Sequence, residues 1–183
     1  MAPNAKHPIP PANQERWPQP QSQKPGCGFP HIRFLALFSL ASAALLRLKI
    51  ASTAISEQRL LAKLWGTIRR GSVLLADRNF CGYAQLALIG QRGIHFAFRL
   101  QAVRPRDMRA GRRLGKDDRL IRWRKPSLCP KSITVQQFAA LPPILDVRVL
   151  RFVVGLPGFR TRVVYLATSL TDPQLYPLAK PLS

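Results

Sequence analysis

From Ile32 to Leu100 the apolar residues switch between strand-like and helix-like spacing, and that alternation constrains the fold more than any other feature of the chain. Ile32 to Phe38 and Ala43 to Ile50 read as two strands joined by Ser39 to Ser42, the second alternating at Leu46, Leu48 and Ile50 as a half-buried strand does. An alanine-rich helix over part of 35–48 is the competing reading. Ser56 is placed to cap a helix beginning at Glu57, whose charge suits the positive helix end. Leu60, Leu61, Leu64, Trp65 and Ile68 then form one apolar stripe, and Arg69-Arg70-Gly71 ends it. A strand over 72–76 follows, then a helix around Ala84 to Gly90 with Leu86 and Ile89 inward. Gly93 turns the chain into a strand from Ile94 to Leu100 that holds His95 as a packed residue. Strand, strand, helix, strand, helix, strand predicts an α/β domain with helices against a mixed sheet.

The flanking segments differ in character. Eight prolines fall within residues 1–30, so this arm is expected to close no helical or strand ladder on its own and to act as a tail or a wrapping segment. Residues 104–131 carry eleven Arg and Lys against Asp107, Asp117 and Asp118, with glycines at 111 and 115. This reads as a hairpin-like basic strip, either a solvated face or a phosphate-binding one. Trp123, between Arg122 and Arg124, is compatible with a base or sugar contact there, although an isolated tryptophan also serves for packing. Asp146 to Val154 and Phe159 to Thr168 are β-rich and joined by Gly155-Leu156-Pro157-Gly158, which predicts an antiparallel pair with Arg148, Arg151, Arg160 and Arg162 on one outer surface. Pro173, Pro177 and Pro181 predict a frayed end. The resulting division is an arm at 1–30, a core at 31–102, a β-rich region at 103–170 and a tail at 171–183.

Among the 183 residues, 29 Lys and Arg oppose 8 Asp and Glu, a formal charge of +21 that points to a polyanionic partner, nucleic acid first. Ribosomal or arginine-rich genomic composition gives the same balance. The excess of Arg over Lys suits bidentate phosphate contacts. Cys27, Cys81 and Cys129 are odd in number and widely spaced, and His7, His31 and His95 lack ligand spacing, so neither a disulfide scaffold nor a zinc site is indicated. Any metal must be held by carboxylates, which favours a hard cation such as magnesium. The apolar run from Phe34 to Leu46 falls short of the roughly 20 residues a spanning helix needs, and no signal-peptide core stands near the start, so a cytoplasmic, non-membrane protein is expected.

Asp77 ends the run Ser72-Val73-Leu74-Leu75-Ala76 and stands at the mouth of a strand, where ligands of α/β sheets bind. Taken alone it is a carboxylate that pairs with Arg78 or caps the following helix, with Phe80 and Tyr83 as core residues supporting the turn. However, Asp77-Arg78-Asn79-Phe80-Cys81-Gly82-Tyr83, after Gly-Ser-Val-Leu-Leu-Ala, resembles the segment around the second catalytic aspartate of DDE transposases of the insertion sequence four group. Further blocks agree in order: Pro11-Ala12-Asn13-Gln14, Gln23 to Pro30, Phe38 to Ser42, Arg112 to Lys116 with Asp118, Trp123 to Pro126, Pro157 to Arg162, then Asp172-Pro173 and Tyr176-Pro177.

The resemblance implies an incomplete RNase H-like mixed sheet with helices, interrupted by a β-rich basic insertion region. It also implies DNA binding, transposition and DNA recombination by metal-dependent strand cleavage and transfer in intact relatives. Asp77 is then the remnant second acid and a magnesium ligand. The DNA-binding candidates are Arg78, Arg112, Arg113, Lys116, Arg122, Trp123, Arg124, Lys125, Arg160 and Arg162. Met1-Ala2-Pro3-Asn4 stands where the family's first aspartate is expected, and the third acid would fall past Ser183, so the chain reads as truncated at both ends. Two-metal phosphoryl transfer needs carboxylates that hold ions roughly 4 Å apart. One acid leaves magnesium unstably bound, and the chain is expected to be inactive alone. Its partners would be DNA, and either a second copy in a homodimer or the remaining transposase fragments. A non-catalytic basic nucleic-acid-binding protein is the alternative.

Overall fold

The computed structural model describes residues 11–20, 24, 31–100, 108–155 and 162–178, and the chain divides into two compact units, Met1–Thr67 and Ile68–Ser183.

In the first unit, a short helix α1 (Pro11–Arg16) forms inside the proline-rich arm, where no ladder was expected. The physical reason is position: Pro11 opens the helix, where its missing N–H costs no hydrogen bond. The Arg16 guanidinium lies 5.4 Å from the Trp17 ring centre. Strands β1 (Ile32–Phe38) and β2 (Leu45–Ser52) pair antiparallel, with Phe34 opposite Ile50 and Ala36 opposite Leu48, so the helical alternative for this stretch does not hold. Arg33 donates to the carbonyls of Thr53 and Ile55 and fastens the exit of β2 to the start of β1. Helix α2 (Glu57–Ala62) begins at Ser56 as expected, its Oγ accepting from the Arg59 N–H at 3.3 Å. It ends earlier than the apolar stripe suggested. Leu64 N–H donates to Leu61 O and Thr67 N–H to Leu64 O, three-residue spacings that tighten the chain into a 3-10 turn at Trp65–Thr67 around Gly66. Leu60, Leu61 and Leu64 are buried.

The second unit is a six-stranded mixed sheet in the order β3-β4-β8-β7-β6-β5. Strand β3 (Val73–Ala76) runs parallel to β4 (His95–Arg99), and α3 (Tyr83–Gln91) makes the crossover between them. Strands β5 (Arg112–Gly115), β6 (Asp118–Arg124), β7 (Ile144–Val154) and β8 (Arg162–Thr168) form an antiparallel meander. Helix α4 (Val135–Ala139) interrupts it, started by a capping box between Thr134 and Gln137. β8 pairs with β4, Phe98 opposite Ala167, so the basic β-rich region and the β3–β4 pair are one continuous sheet.

Alternation along each strand sorts the side chains. Leu74, Phe96, Phe98, Ala167, Val147, Val149 and Trp123 share one face by register and are buried, together with Leu86 and Ile89 of α3 and Phe138 of α4. Helix α3 is buried from Tyr83 to Ile89, and the Tyr83 hydroxyl donates to Pro142 O at 2.7 Å. On the opposite face lies the segment from Leu170 to Leu178, while residues 179–183 of the expected frayed tail fall outside the described residues. Asp172 accepts from the Gln174 N–H at 2.8 Å, and Arg148 Nη1 donates to Leu170 O at 3.1 Å and Tyr176 O at 2.7 Å. This strap walls an apolar groove of ≈ 250 Å³ with Leu150, Phe152 and Leu166.

Candidate nucleic-acid interface

Asp77 emerges from the carboxyl end of β3, beside the parallel strand β4, in extended conformation (φ −73°, ψ 168°). Its carbonyl accepts from the Phe80 N–H at 3.0 Å and starts a 3-10 turn, Arg78–Phe80, but its carboxylate makes no capping bond. Phe80, Cys81 and Tyr83 are buried beneath the turn and hold it, as the sequence suggested for the two aromatics. Asp77 and Arg78 are both exposed, and among the described residues the carboxylate has neither an ion pair nor a hydrogen-bond partner. Pairing with Arg78 and capping of the next helix are thus both absent.

The described acids of the β-rich region are committed elsewhere. Asp118 is bound by Arg148 at 2.7 Å with both side chains buried, Asp117 by Arg151 at 3.0 Å, and Asp146 by Arg122 at 3.4 Å. The Asp117 hydrogen bond, with a second from Tyr165, raises the Arg151 pKa above its ordinary value. Among the described residues no three His, Cys, Asp or Glu side chains cluster in a way that could hold a metal ion. Magnesium takes near-octahedral oxygen coordination, and Asp77 is a single exposed carboxylate.

The β5–β6 hairpin presents the basic candidates. Gly111 precedes it at φ +77°, where a side chain would also collide with Leu120 O, so only glycine serves there. Arg112, Arg113, Lys116, Arg122 and Arg124 are exposed. Among the described residues Arg122 is held only by its solvent-exposed pair with Asp146, a weak tether. Arg112, Arg122 and Arg124 share a face by register, since Arg112 stands opposite Leu120.

Three sequence expectations change at this site. Trp123 is 8% exposed, on the helix-covered face opposite Arg122 and Arg124, so its ring packs the core and cannot stack on a base. Lys125 caps the end of α4, its Nζ donating to Phe138 O at 3.1 Å and to Ala139 O and Leu141 O at 3.3 Å, 5.0 Å from the centre of the Phe138 ring. Arg148 is 1% exposed and belongs to the interior, because its parity in β7 places it on the face that the strap covers. Arg151 lies at odd spacing from it, on the other face, so the arginines of β7 line no common outer surface. Arg160 and the side chain of Arg162 lie outside the described residues.

Arg99, exposed at the end of β4 with no bonding partner among the described residues, is a cation that sequence reasoning missed; its odd place in the alternation Phe96, Phe98, Leu100 was the available signal. No helix among the described residues is long and apolar enough to cross a membrane. No protein-family model matches this chain, and no curated protein matches it. The fold is that of a mixed α/β protein with a six-stranded mixed sheet.

Proposed function

We propose that this chain is part of a DDE transposase of the insertion sequence four group that binds DNA through its β5–β6 hairpin and performs no strand cleavage by itself. The observation that carries the proposal is the contrast among the acids. Asp77 stands exposed at the carboxyl end of β3, its carboxylate unpartnered among the described residues, while Asp117, Asp118 and Asp146 are each bound by an arginine. A catalytic acid must keep its oxygens available, and structural acids need not. The exposed cations Arg112, Arg113, Lys116, Arg122 and Arg124, in a chain of net charge +21, supply phosphate contacts, and a two-stranded β-ribbon is an element the major groove admits. Arg78 adds a cation beside Asp77. In intact relatives magnesium would be held by the counterpart of Asp77 together with two further acids; here Asp77 has no such company among the described residues.

The same ion-paired acids favour a second reading, a basic nucleic-acid-binding protein with no transposase role. Fluorescence anisotropy on duplex DNA over a salt series, run beside a magnesium-dependent cleavage assay on inverted-repeat ends, separates the two. The proposal expects tight, salt-dependent binding with a preference for the repeat ends, and no cleavage. Equal affinity for all duplexes leaves the second reading; cleavage that Asp77→Ala abolishes overturns the inactive assignment.

A further inference from the structure

Within the first unit, the β1–β2 hairpin carries an apolar face whose large side chains are exposed. By register, Ile32, Phe34 and Ala36 of β1 stand beside Leu48 and Ile50 of β2, with Leu46 next in the alternation. Ile32 is 53% exposed, Phe34 64%, Leu46 49%, Leu48 42% and Ile50 51%. The charged residues of the hairpin, Arg33, Arg47 and Lys49, all fall at the alternate positions and project from the other face, which also holds the buried Ala51. The exposed face is therefore uncharged, although the chain as a whole carries +21.

We propose that this face is a self-association surface on which a second copy of the chain packs its own β1–β2 hairpin in an isologous, face-to-face arrangement. Three physical arguments converge on that occupant. First, a two-stranded hairpin is marginal alone, and two of them packed about 10 Å apart make a two-layer sandwich with a dry interior. Second, the five side chains expose roughly 500 Å² of apolar surface per copy, so the pair buries about 1,000 Å², where specific interfaces begin. Exposed Phe38 and Leu45, paired beyond the bulge, extend the patch. Third, a face with no charge and no hydrogen-bonding side chain apart from Ser52 offers nothing to a nucleic acid or an acidic protein. An identical neutral face complements it, and repulsion between the basic copies is screened beyond about 8 Å at physiological salt.

The test is sedimentation equilibrium of the full chain, free of nucleic acid, at micromolar concentration and physiological salt. A wild-type dimer, with Phe34→Lys/Ile50→Lys at half that mass and an unchanged far-UV circular dichroism spectrum, supports the interface. A monomeric wild type overturns it, including one that instead co-sediments with anionic vesicles, and so does a dimer that survives the double substitution. Should the double variant lose its spectrum, cysteine crosslinking decides in a Cys27→Ser/Cys129→Ser background. Ala36→Cys, central on the face, should then form an interchain disulfide at least tenfold faster than Arg47→Cys on the reverse face; equal rates overturn the proposal.

Discussion

Asp118 and Arg148 form a buried ion pair diagonally across β6 and β7, with Arg148 Nη2 2.7 Å from Oδ2 and Nε 3.0 Å from Oδ1 of Asp118. The remaining guanidinium nitrogen holds the strap, so every nitrogen of this interior arginine is used. One side chain thus joins the middle of the sheet to the segment from Leu170 to Tyr176.

Removing one member of this pair leaves the other charged and dry. Arg148→Met is expected to cost about 3–5 kcal/mol in urea unfolding, whereas Arg148→Met combined with Asp118→Leu recovers most of the loss. The single variant also frees the strap, which limited proteolysis after Leu170 would register. Equal stability of the single and double variants would contradict the assignment.

The basic residues separate into DNA contacts and structural ties. Arg112→Ala and Arg124→Ala should each lower the slope of log K against log salt by about 1 while leaving the melting temperature in place, since both side chains are exposed and unpartnered among the described residues. Lys125→Ala is expected to behave in the opposite way. It removes three donations to the end of α4, costs about 1.5–3 kcal/mol of stability and spares the salt slope.

Among the described residues the Asp77 carboxylate makes no ion pair or hydrogen bond, and its part in the fold is the backbone bond to Phe80. Asp77→Ala should therefore change the unfolding free energy by less than about 0.5 kcal/mol, measured by chemical denaturation. A larger loss would reveal a structural partner and weaken the case for an acid kept available for a ligand.

Burial raises the Tyr83 pKa above 10.0. The folded state thus favours the neutral phenol, and its contribution is fully present below the unfolded tyrosine value near 10. Above that value the unfolded chain binds fewer protons than the folded one, so stability falls as pH rises through the folded pKa. Tyr83→Phe should reduce this alkaline decline. It should also lower stability at neutral pH by about 1–3 kcal/mol, because Pro142 O loses its donor.

Much of the fold was legible in the chain because it rests on local interactions. The Ser56 cap, the strands around Leu74 and Phe96, the intervening helix and the hairpin between Arg112 and Arg124 each depend on periodicity or capping within a few residues. The arm's helix at Pro11 was missed because proline content was weighed without its position. The site was only half legible. Asp77 could be placed at a strand end, but the roles of Trp123, Lys125 and Arg148 could not be assigned from their neighbours in sequence.

The amino-acid order by itself determined a basic α/β chain in which strands and helices alternate and one carboxylate ends a strand, since these follow from side-chain spacing and charge count. Only the tertiary structure decided which charges remain available. Asp118 meets Arg148 across thirty residues, and Lys125 reaches α4, through strand register and helix placement. The pairing of β4 with β8 likewise joins segments some seventy residues apart, Phe98 to Ala167, which no local pattern encodes. A side chain's charge is written in the chain, but its availability depends on which distant partner the packed sheet brings within about 3 Å of it.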